Sequence, residues 1–438
     1  MTFLKTNIIT LLSKALCLIS SMVISIYIAR FLGPGAKGTY YIFVQLVSIL
    51  ATAALLGLDY SVIYYLGKGL YARRTVLISN LITFVTSVGI AVLLLLLSRV
   101  RFSGNVLTVY DFGYLAIFVI VIPFMSSSRL NSSVLMGFNR YISFNIMNVV
   151  LYLILIASFF IFAVMLKMGL AGALISFLLS YMIVSVIYWV MILNFEGMSE
   201  KLPETAEKIK INTLLKHGSK VLLIPILLLL LYRIDSFFLS YHVAISSVGF
   251  YSVALSIVEL LLFIPESTGT ILFPKLMYVK SDDVAKSFLF IFKTSIVITL
   301  FAEIVLYAGI RYILPFIYGN LYMESVKLAY ILLPGIFAIS TYYLFASYFQ
   351  ALGKPGIVTF VLAVVLILKL ILCIVLIPKF GSIGAAIAST GAYSVCFFTF
   401  LVLFRKRSRF RFKEIFTLQK EDLNIIRNSL NNIFDFEK

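Results

Sequence analysis

Residues 167–175 read KMGLAGALI, and residues 379–387 read KFGSIGAAI, 212 positions further along the chain. Each stretch opens a long apolar segment. A second pair lies at almost the same offset, because Gly38-Thr39-Tyr40 is followed 211 positions later by Gly249-Phe250-Tyr251. Two matches at nearly the same offset indicate two copies of one structural unit, with common small-residue packing motifs as the alternative explanation.

The segments around this repeat are too apolar for a water-soluble protein. Of the 438 residues, 62% are hydrophobic and only 12% are charged, and the mean hydropathy is +1.08. Ordinary soluble domains contain about 25% charged residues. The composition therefore excludes a soluble enzyme and a disordered chain. Long unbroken apolar runs also exclude a transmembrane β-barrel, whose strands alternate, and leave a helical membrane protein.

Runs of about 18 or more apolar residues predict membrane spans. We expect twelve, at residues 6–31, 39–66, 76–98, 112–137, 142–166, 169–194, 218–241, 248–274, 285–314, 324–350, 356–377 and 382–404. Equivalent positions of the repeat are six spans apart, an even number, so the two halves should run parallel. The predicted fold is an all-α polytopic membrane protein of twelve transmembrane helices in two parallel six-helix lobes.

The charge distribution sets the expected topology and the unit boundaries. The net charge is +18, and most basic residues fall in one set of alternate loops. The positive-inside rule then places both termini in the cytoplasm. Because topology explains most of the basic excess, we expect no nucleic-acid partner. We expect an N-terminal lobe at 1–197, a charged cytoplasmic linker at 198–216 and a C-terminal lobe at 217–405. A basic tail with an amphipathic helix follows at 406–438 and should lie on the membrane surface.

Several charged and polar side chains fall inside the predicted spans. A charge at the bilayer centre costs on the order of 2.5–3.5 kcal/mol on insertion scales, so such residues usually face a wet cavity. The expected cationic cavity residues are Lys14, Arg129, Arg233 and Lys369, and the expected polar lining is Ser126, Ser133, Asn145 and Asn148. Cations at several depths favour an anionic substrate.

Acidic residues within the spans have two open interpretations. They are candidates for ion coupling, or they are structural partners of the buried cations. The residues concerned are Asp59, Asp235, Glu259, Glu266 and Glu303. Arg233 and Asp235 are two positions apart, so they do not face each other on a helix.

The sequence offers no catalytic or metal-binding constellation. The three cysteines lie in separate apolar stretches, and the two histidines, His217 and His242, are far apart. We therefore expect no metal, no cofactor and no enzymatic activity.

Residues 29–40, ARFLGPGAKGTY, carry a resemblance to a known family, together with residues 233–235, 248–254 and 264–276. They resemble the Wzx-type polysaccharide flippases for O-antigen, lipopolysaccharide and capsule. These belong to the multidrug/oligosaccharidyl-lipid/polysaccharide exporter superfamily. The resemblance covers nearly the whole chain.

The resemblance implies a V-shaped fold in the cell membrane of a bacterium or archaeon, working by alternating access. It implies transfer of an undecaprenyl-diphosphate-linked oligosaccharide to the outer leaflet. It also implies membrane lipids, a polysaccharide polymerase and a chain-length regulator as partners. Loop or gate roles are implied for Arg30, Gly33, Pro34 and Gly38.

Two other functions remain open at this point. One is a drug or cation antiporter of the same superfamily, which would favour acids over cations in the N-terminal lobe. The other, a membrane enzyme of polysaccharide assembly, would be expected to have a large outer loop, which the span pattern does not leave room for.

Overall fold

The computed structural model describes residues 3–68, 73–99, 112–194, 211–277, 284–408, 410 and 412–416, and these residues form helices and short connections without a strand. The helices are α1 Phe3–Tyr27, α2 Gly33–Ala54, α3 Leu58–Gly67, α4 Arg73–Arg99, α5 Phe112–Gly137, α6 Tyr141–Phe159, α7 Gly169–Leu193, α8 Ile211–His242, α9 Ile245–Val258, α10 Phe263–Met277, α11 Val284–Tyr318, α12 Met323–Ala351, α13 Pro355–Ser408 and α14 Phe412–Phe416.

Ten helical runs within the described residues are long and apolar enough to cross a membrane. Two of them are long enough for two crossings: Leu12–Ala54 has 43 residues and Pro355–Ser408 has 54. At 1.5 Å per residue these correspond to about 65 and about 80 Å, against a hydrocarbon layer of about 30 Å. Each run is broken at a glycine, Gly33 or Gly381. Divided there, the ten runs give twelve helical segments within the described residues, and the count of twelve membrane crossings remains a prediction.

The repeated motif forms the same turn twice. Gly169 and Gly381 both have a φ of +55°, a conformation that glycine adopts without a Cβ penalty. Three residues later, Gly172 and Gly384 each lie against the backbone of the preceding helical segment. A Cβ would come within 2.6 Å of Ala163 N in the first case and 2.3 Å of Leu376 O in the second. The two glycines three positions apart therefore recur because each copy needs a turn followed by a close helix–helix crossing.

The other repeated glycines meet each other. A Cβ on Gly38 would lie 2.2 Å from the carbonyl oxygen of Ile245, and a Cβ on Gly249 would lie 2.0 Å from that of Pro34. Each glycine thus faces the residue four positions before its counterpart. This reciprocal contact joins α2 of the first half to α9 of the second.

Each half has its own packing centre. In the first half, α5 packs against α2, α3, α4 and α7, while α6 packs against α1 and α7. In the second half, α12 packs against α9, α10, α11 and α13, and α8 packs against α13. Large aromatic residues fill the second centre, where the Phe288 ring contacts those of Phe345 and Phe404. Such rings contribute much of the buried apolar area.

The lobe boundaries at 197 and 217 remain predictions. Residues 195–210, which include most of the predicted linker, and residues 417–438, which include the predicted amphipathic helix of the tail, lie outside the described residues.

Candidate functional site

A central cavity of about 430 Å³ lies between the two halves. Helices α1 and α2 of the first half form one wall, and α8, the α9–α10 region and α12 of the second half form the other. Its polar lining consists of Ser21, Ser25, Lys37, Tyr40, Tyr41, Gln45, Tyr232, Arg233, Ser256, Glu259, Glu266 and Tyr343.

Arg233 is held by a carboxylate at the wall of this cavity. Its Nη1 and Nη2 donate to Oε1 and Oε2 of Glu259, at 2.7 and 3.0 Å. Nη1 also donates to the Tyr41 hydroxyl at 3.0 Å. Because Tyr41 is on α2, the guanidinium links the two halves. The paired geometry satisfies the cation in a low-dielectric environment.

Lys37 is a cation in the same cavity without an acidic partner. Its Nζ donates to Ser25 Oγ at 2.6 Å, and the residue is only 4% exposed. Among the described residues, no carboxylate lies within ion-pair distance of this ammonium. A buried charge is usually paired because leaving water is costly. An uncompensated ammonium at a cavity wall is therefore suited to an anionic ligand.

A second cavity of about 340 Å³ adjoins the first, and the two share Leu18, Ser21, Phe263 and Glu266. Lys14 on α1 forms an ion pair with Glu266 on α10, with 3.6 Å between the charged atoms. Both side chains are nearly half exposed, at 44% and 47%. This pair joins the two halves across the cavity.

Asparagines from α6 contribute to the second cavity. Asn145 Nδ2 donates to Thr10 Oγ1 at 2.9 Å, and the Asn145 carbonyl accepts a bond from Ser13. Asn148 is also in the lining. The polar edge of this cavity is therefore formed by α1 and α6 together.

The charges of the two cavities nearly balance. The described ionisable lining residues are the cations Lys14, Lys37 and Arg233 and the carboxylates Glu259 and Glu266. Two of these basic residues are paired with the two carboxylates, which leaves Lys37 as the described lining residue of basic type without a carboxylate partner.

Lys369 lies apart from both cavities and is completely buried. Its Nζ contacts Asp235 Oδ2 at 3.0 Å and the Leu231 carbonyl at 2.6 Å. Asp235 also accepts hydrogen bonds from Tyr251 and Ser389. The structure therefore shows a fully satisfied ion pair that ties α8 to α13.

Arg129 and its polar neighbours pack within the first half. Arg129 Nη1 donates to Thr52 Oγ1 and, at 3.4 Å, to the Ser48 carbonyl. Ser126 donates to the Ile122 carbonyl, and Ser133 is buried. None of the three lines either cavity. Arg129 and Ser126 of α5 therefore form hydrogen bonds to α2 within the first half.

Two predicted acids lie elsewhere. Asp59 is in the first turn of α3, and its Oδ1 is buried without a hydrogen bond in the described structure. Glu303 is in α11 and lines neither cavity.

The predicted loop residues form contacts between the halves at the end of the bundle expected to face outward. Arg30 donates to the Phe316 carbonyl, and the Tyr322 hydroxyl donates to the Ala29 carbonyl at 3.0 Å. Gly33, with a φ of +80°, turns the chain into α2, where Pro34 and Gly38 contact α9.

The opposite end has its own contacts between the halves. Ser61 donates to the Leu214 carbonyl at 2.7 Å, and the Tyr64 ring stacks on His217. Gly57 and Gly218 meet backbone to backbone. Among the described residues, the two cavities thus lie between two sets of contacts that close the ends of the bundle.

No group of three or more histidine, cysteine or acidic residues that could hold a metal ion occurs among the described residues.

Solved structures with this architecture cover nearly the whole chain. A MOP superfamily transporter from Pyrococcus furiosus matches with a TM-score of 0.68 at 15% identity, covering 93% of this chain and 95% of that one. The inward closed lipid II flippase MurJ matches with a TM-score of 0.69 at 15% identity, covering 93% and 89%.

The chain has the fold of the MOP superfamily transporters. An outward-facing multidrug resistance MATE transporter of this superfamily matches similarly, with a TM-score of 0.67, 16% identity and coverage of 93% and 95%. The MOP fold confirms the prediction of an all-α polytopic membrane protein.

An uncharacterized membrane protein of Methanocaldococcus jannaschii is 25% identical over 393 residues, covering 82% of this chain and 75% of that protein. No family model matches the chain.

Sequence reasoning did not identify Lys37 as a site residue, because it falls between the first two predicted spans, at 6–31 and 39–66. In the structure α2 begins at Gly33, which places Lys37 one turn inside the helix. The available signal was its spacing: Lys37 and Tyr41 are four apart and share a helix face.

Proposed function

We propose that this MOP-fold protein is a flippase for an anionic lipid-linked oligosaccharide, with undecaprenyl diphosphate as the expected carrier. The observation that carries the proposal is Lys37, a buried cationic side chain without a carboxylate partner among the described residues, at the wall of the central cavity. Arg233 provides a second cation on the opposite wall. Together they provide two positive groups for a diphosphate.

The two cavities together suit the polar part of such a substrate. The central cavity has hydroxyl, amide and charged groups that could bind phosphate and sugar. The second cavity continues from it between α1, α6 and α10 and contains both Lys14 and apolar side chains such as Leu18 and Phe263. We infer that the glycan and diphosphate occupy the wet cavities while the lipid chain stays in the bilayer.

Transport then requires the two closed ends to open in turn. The contacts of Arg30 and Tyr322 would separate in one state, and those of Ser61 and His217 in the other. With both termini in the cytoplasm, the substrate would enter from the Ser61 end and leave at the Arg30 end. The product would then be available to a polymerase and a chain-length regulator.

A drug or cation antiporter is the second candidate. Glu259 and Glu266 favour it, since both carboxylates line the central cavity and could bind an organic cation. Both are already paired with cations, however, at Arg233 and Lys14. The uncompensated charge of the lining is positive, which favours the anionic substrate.

The two functions are separated by reconstituting the full chain in proteoliposomes. One set of vesicles contains a fluorescent undecaprenyl-diphosphate oligosaccharide, and the other is preloaded with an organic cation such as ethidium. The flippase predicts movement of the lipid between leaflets without ethidium exchange. Ethidium exchange without lipid movement would overturn the proposal and support the antiporter.

A further inference from the structure

The Glu259 carboxylate occupies the place beside the Arg233 guanidinium where an anionic ligand would bind. Both carboxylate oxygens accept from the guanidinium, in the two-point geometry by which arginine also binds a phosphate group. Arg233 and Glu259 remain 20% and 22% exposed. The pair is thus accessible from the cavity, in contrast to the completely buried pair of Lys369 and Asp235.

The backbone that carries Glu259 is a break between helices. Glu259–Leu262 form a short 3₁₀ segment between α9 and α10, and Pro265 follows two residues after α10 begins. A 3₁₀ stretch within a long helical run often marks a hinge. Glu259 is therefore placed where its side chain can move without unwinding either neighbouring helix.

We propose that Glu259 is an internal competitor of the transported anion. This inference rests on the proposed function, because it assumes that the substrate is anionic. In the empty cavity the carboxylate neutralises Arg233. An arriving diphosphate contacts Arg233 and Lys37 together and displaces Glu259 toward the wet cavity.

The charges explain why displacement is favourable and reversible. The carboxylate brings one negative charge to one cation, whereas a diphosphate brings more than one and can also reach Lys37, which lacks an acidic partner in the described structure. Glu259 is part of the same chain and therefore stays close to Arg233 at a high effective concentration. When the substrate leaves, the two residues pair again. The return of Glu259 therefore promotes release.

The test uses inorganic pyrophosphate as the probe and the full-length protein in nanodiscs at constant ionic strength. We expect Glu259→Gln to bind pyrophosphate at least fivefold more tightly than the unchanged protein, because the competitor is gone. The same variant should flip lipid-linked oligosaccharide at least threefold more slowly, because release is impaired. Glu324→Gln is the matched control, since Glu324 is exposed at the start of α12 and lines neither cavity.

The outcomes separate this inference from the proposed function. Unchanged or weaker pyrophosphate binding by Glu259→Gln, with binding by the unchanged protein intact, overturns the competitor role alone. No pyrophosphate binding by either protein overturns the anion site as well. If Glu259→Gln is not monodisperse, Glu259→Asp replaces it: the shorter carboxylate cannot keep both bonds, so binding should tighten at least twofold, and no tightening overturns the inference.

Discussion

Gly38 and Gly249 pack against each other's helices so closely that neither position has room for a side chain. They are equivalent residues of the two halves, and each faces the backbone one turn before the other. The contact between α2 and α9 is therefore symmetric. It forms part of the closure at the end of the bundle expected to face outward.

This contact predicts that no side chain larger than glycine fits at position 249 without moving the helices apart. Gly249→Ala would place a Cβ 2.0 Å from the Pro34 carbonyl oxygen, so the helices must separate. We expect a loss of about 1–3 kcal/mol in stability, as for other overpacked sites. Thermal unfolding in detergent measures it. Gly35→Ala is the control because nothing lies within 4 Å of its Cβ position, and equal stability of the two variants would contradict the contact.

The buried pair of Asp235 and Lys369 predicts strong coupling. Lys369→Met or Asp235→Asn alone leaves one buried group without its partner and should cost about 3–5 kcal/mol. The double variant should recover most of that loss, since no unpaired charge remains. Chemical unfolding of the four proteins gives the coupling energy, and additive losses would show that the two residues act independently.

Much of the architecture could be predicted from the sequence because lipid imposes strong rules. Apolar length gave the spans, and the repeat at 167–175 and 379–387 marked equivalent turns. The hydropathy pattern could not predict the break in the second span at Leu55–Gly57, where Leu56 and Gly57 have positive φ. Nothing in hydropathy distinguishes that turn from continuous helix.

The candidate site was harder to predict. A residue's position within a span shows its depth in the membrane, but not whether its side chain faces a cavity or a neighbouring helix. Arg233 lies at a cavity wall, whereas Lys369 is sealed between helices by Asp235. Both looked alike as charges within a span. Lys37 was hidden by its position near a loop, since the start of α2 at Gly33 depends on a glycine turn.

The ion pair of Lys14 and Glu266 predicts an effect on transport without much effect on stability. Because both side chains are nearly half exposed, Lys14→Glu should change the free energy of unfolding by less than about 1 kcal/mol. Transport should fall at least fivefold, because two carboxylates then repel each other between α1 and α10.

The swapped double variant, Lys14→Glu with Glu266→Lys, is the control for this pair. It restores opposite charges and should recover at least half of the transport rate in the same proteoliposome assay. Failure of the swap, with both proteins folded, would show that Lys14 acts on the substrate and not through Glu266.

The role of Lys37 as the anion-binding cation is tested most directly by the flipping rate of Lys37→Met in proteoliposomes containing lipid-linked oligosaccharide. The variant keeps the length and loses the charge, and Lys354→Met, an exposed residue between α12 and α13, is the control. We predict that Lys37→Met flips at least tenfold more slowly, while Lys37→Arg and Lys354→Met stay within twofold of the unchanged protein. Flipping by Lys37→Met at the unchanged rate would contradict the account.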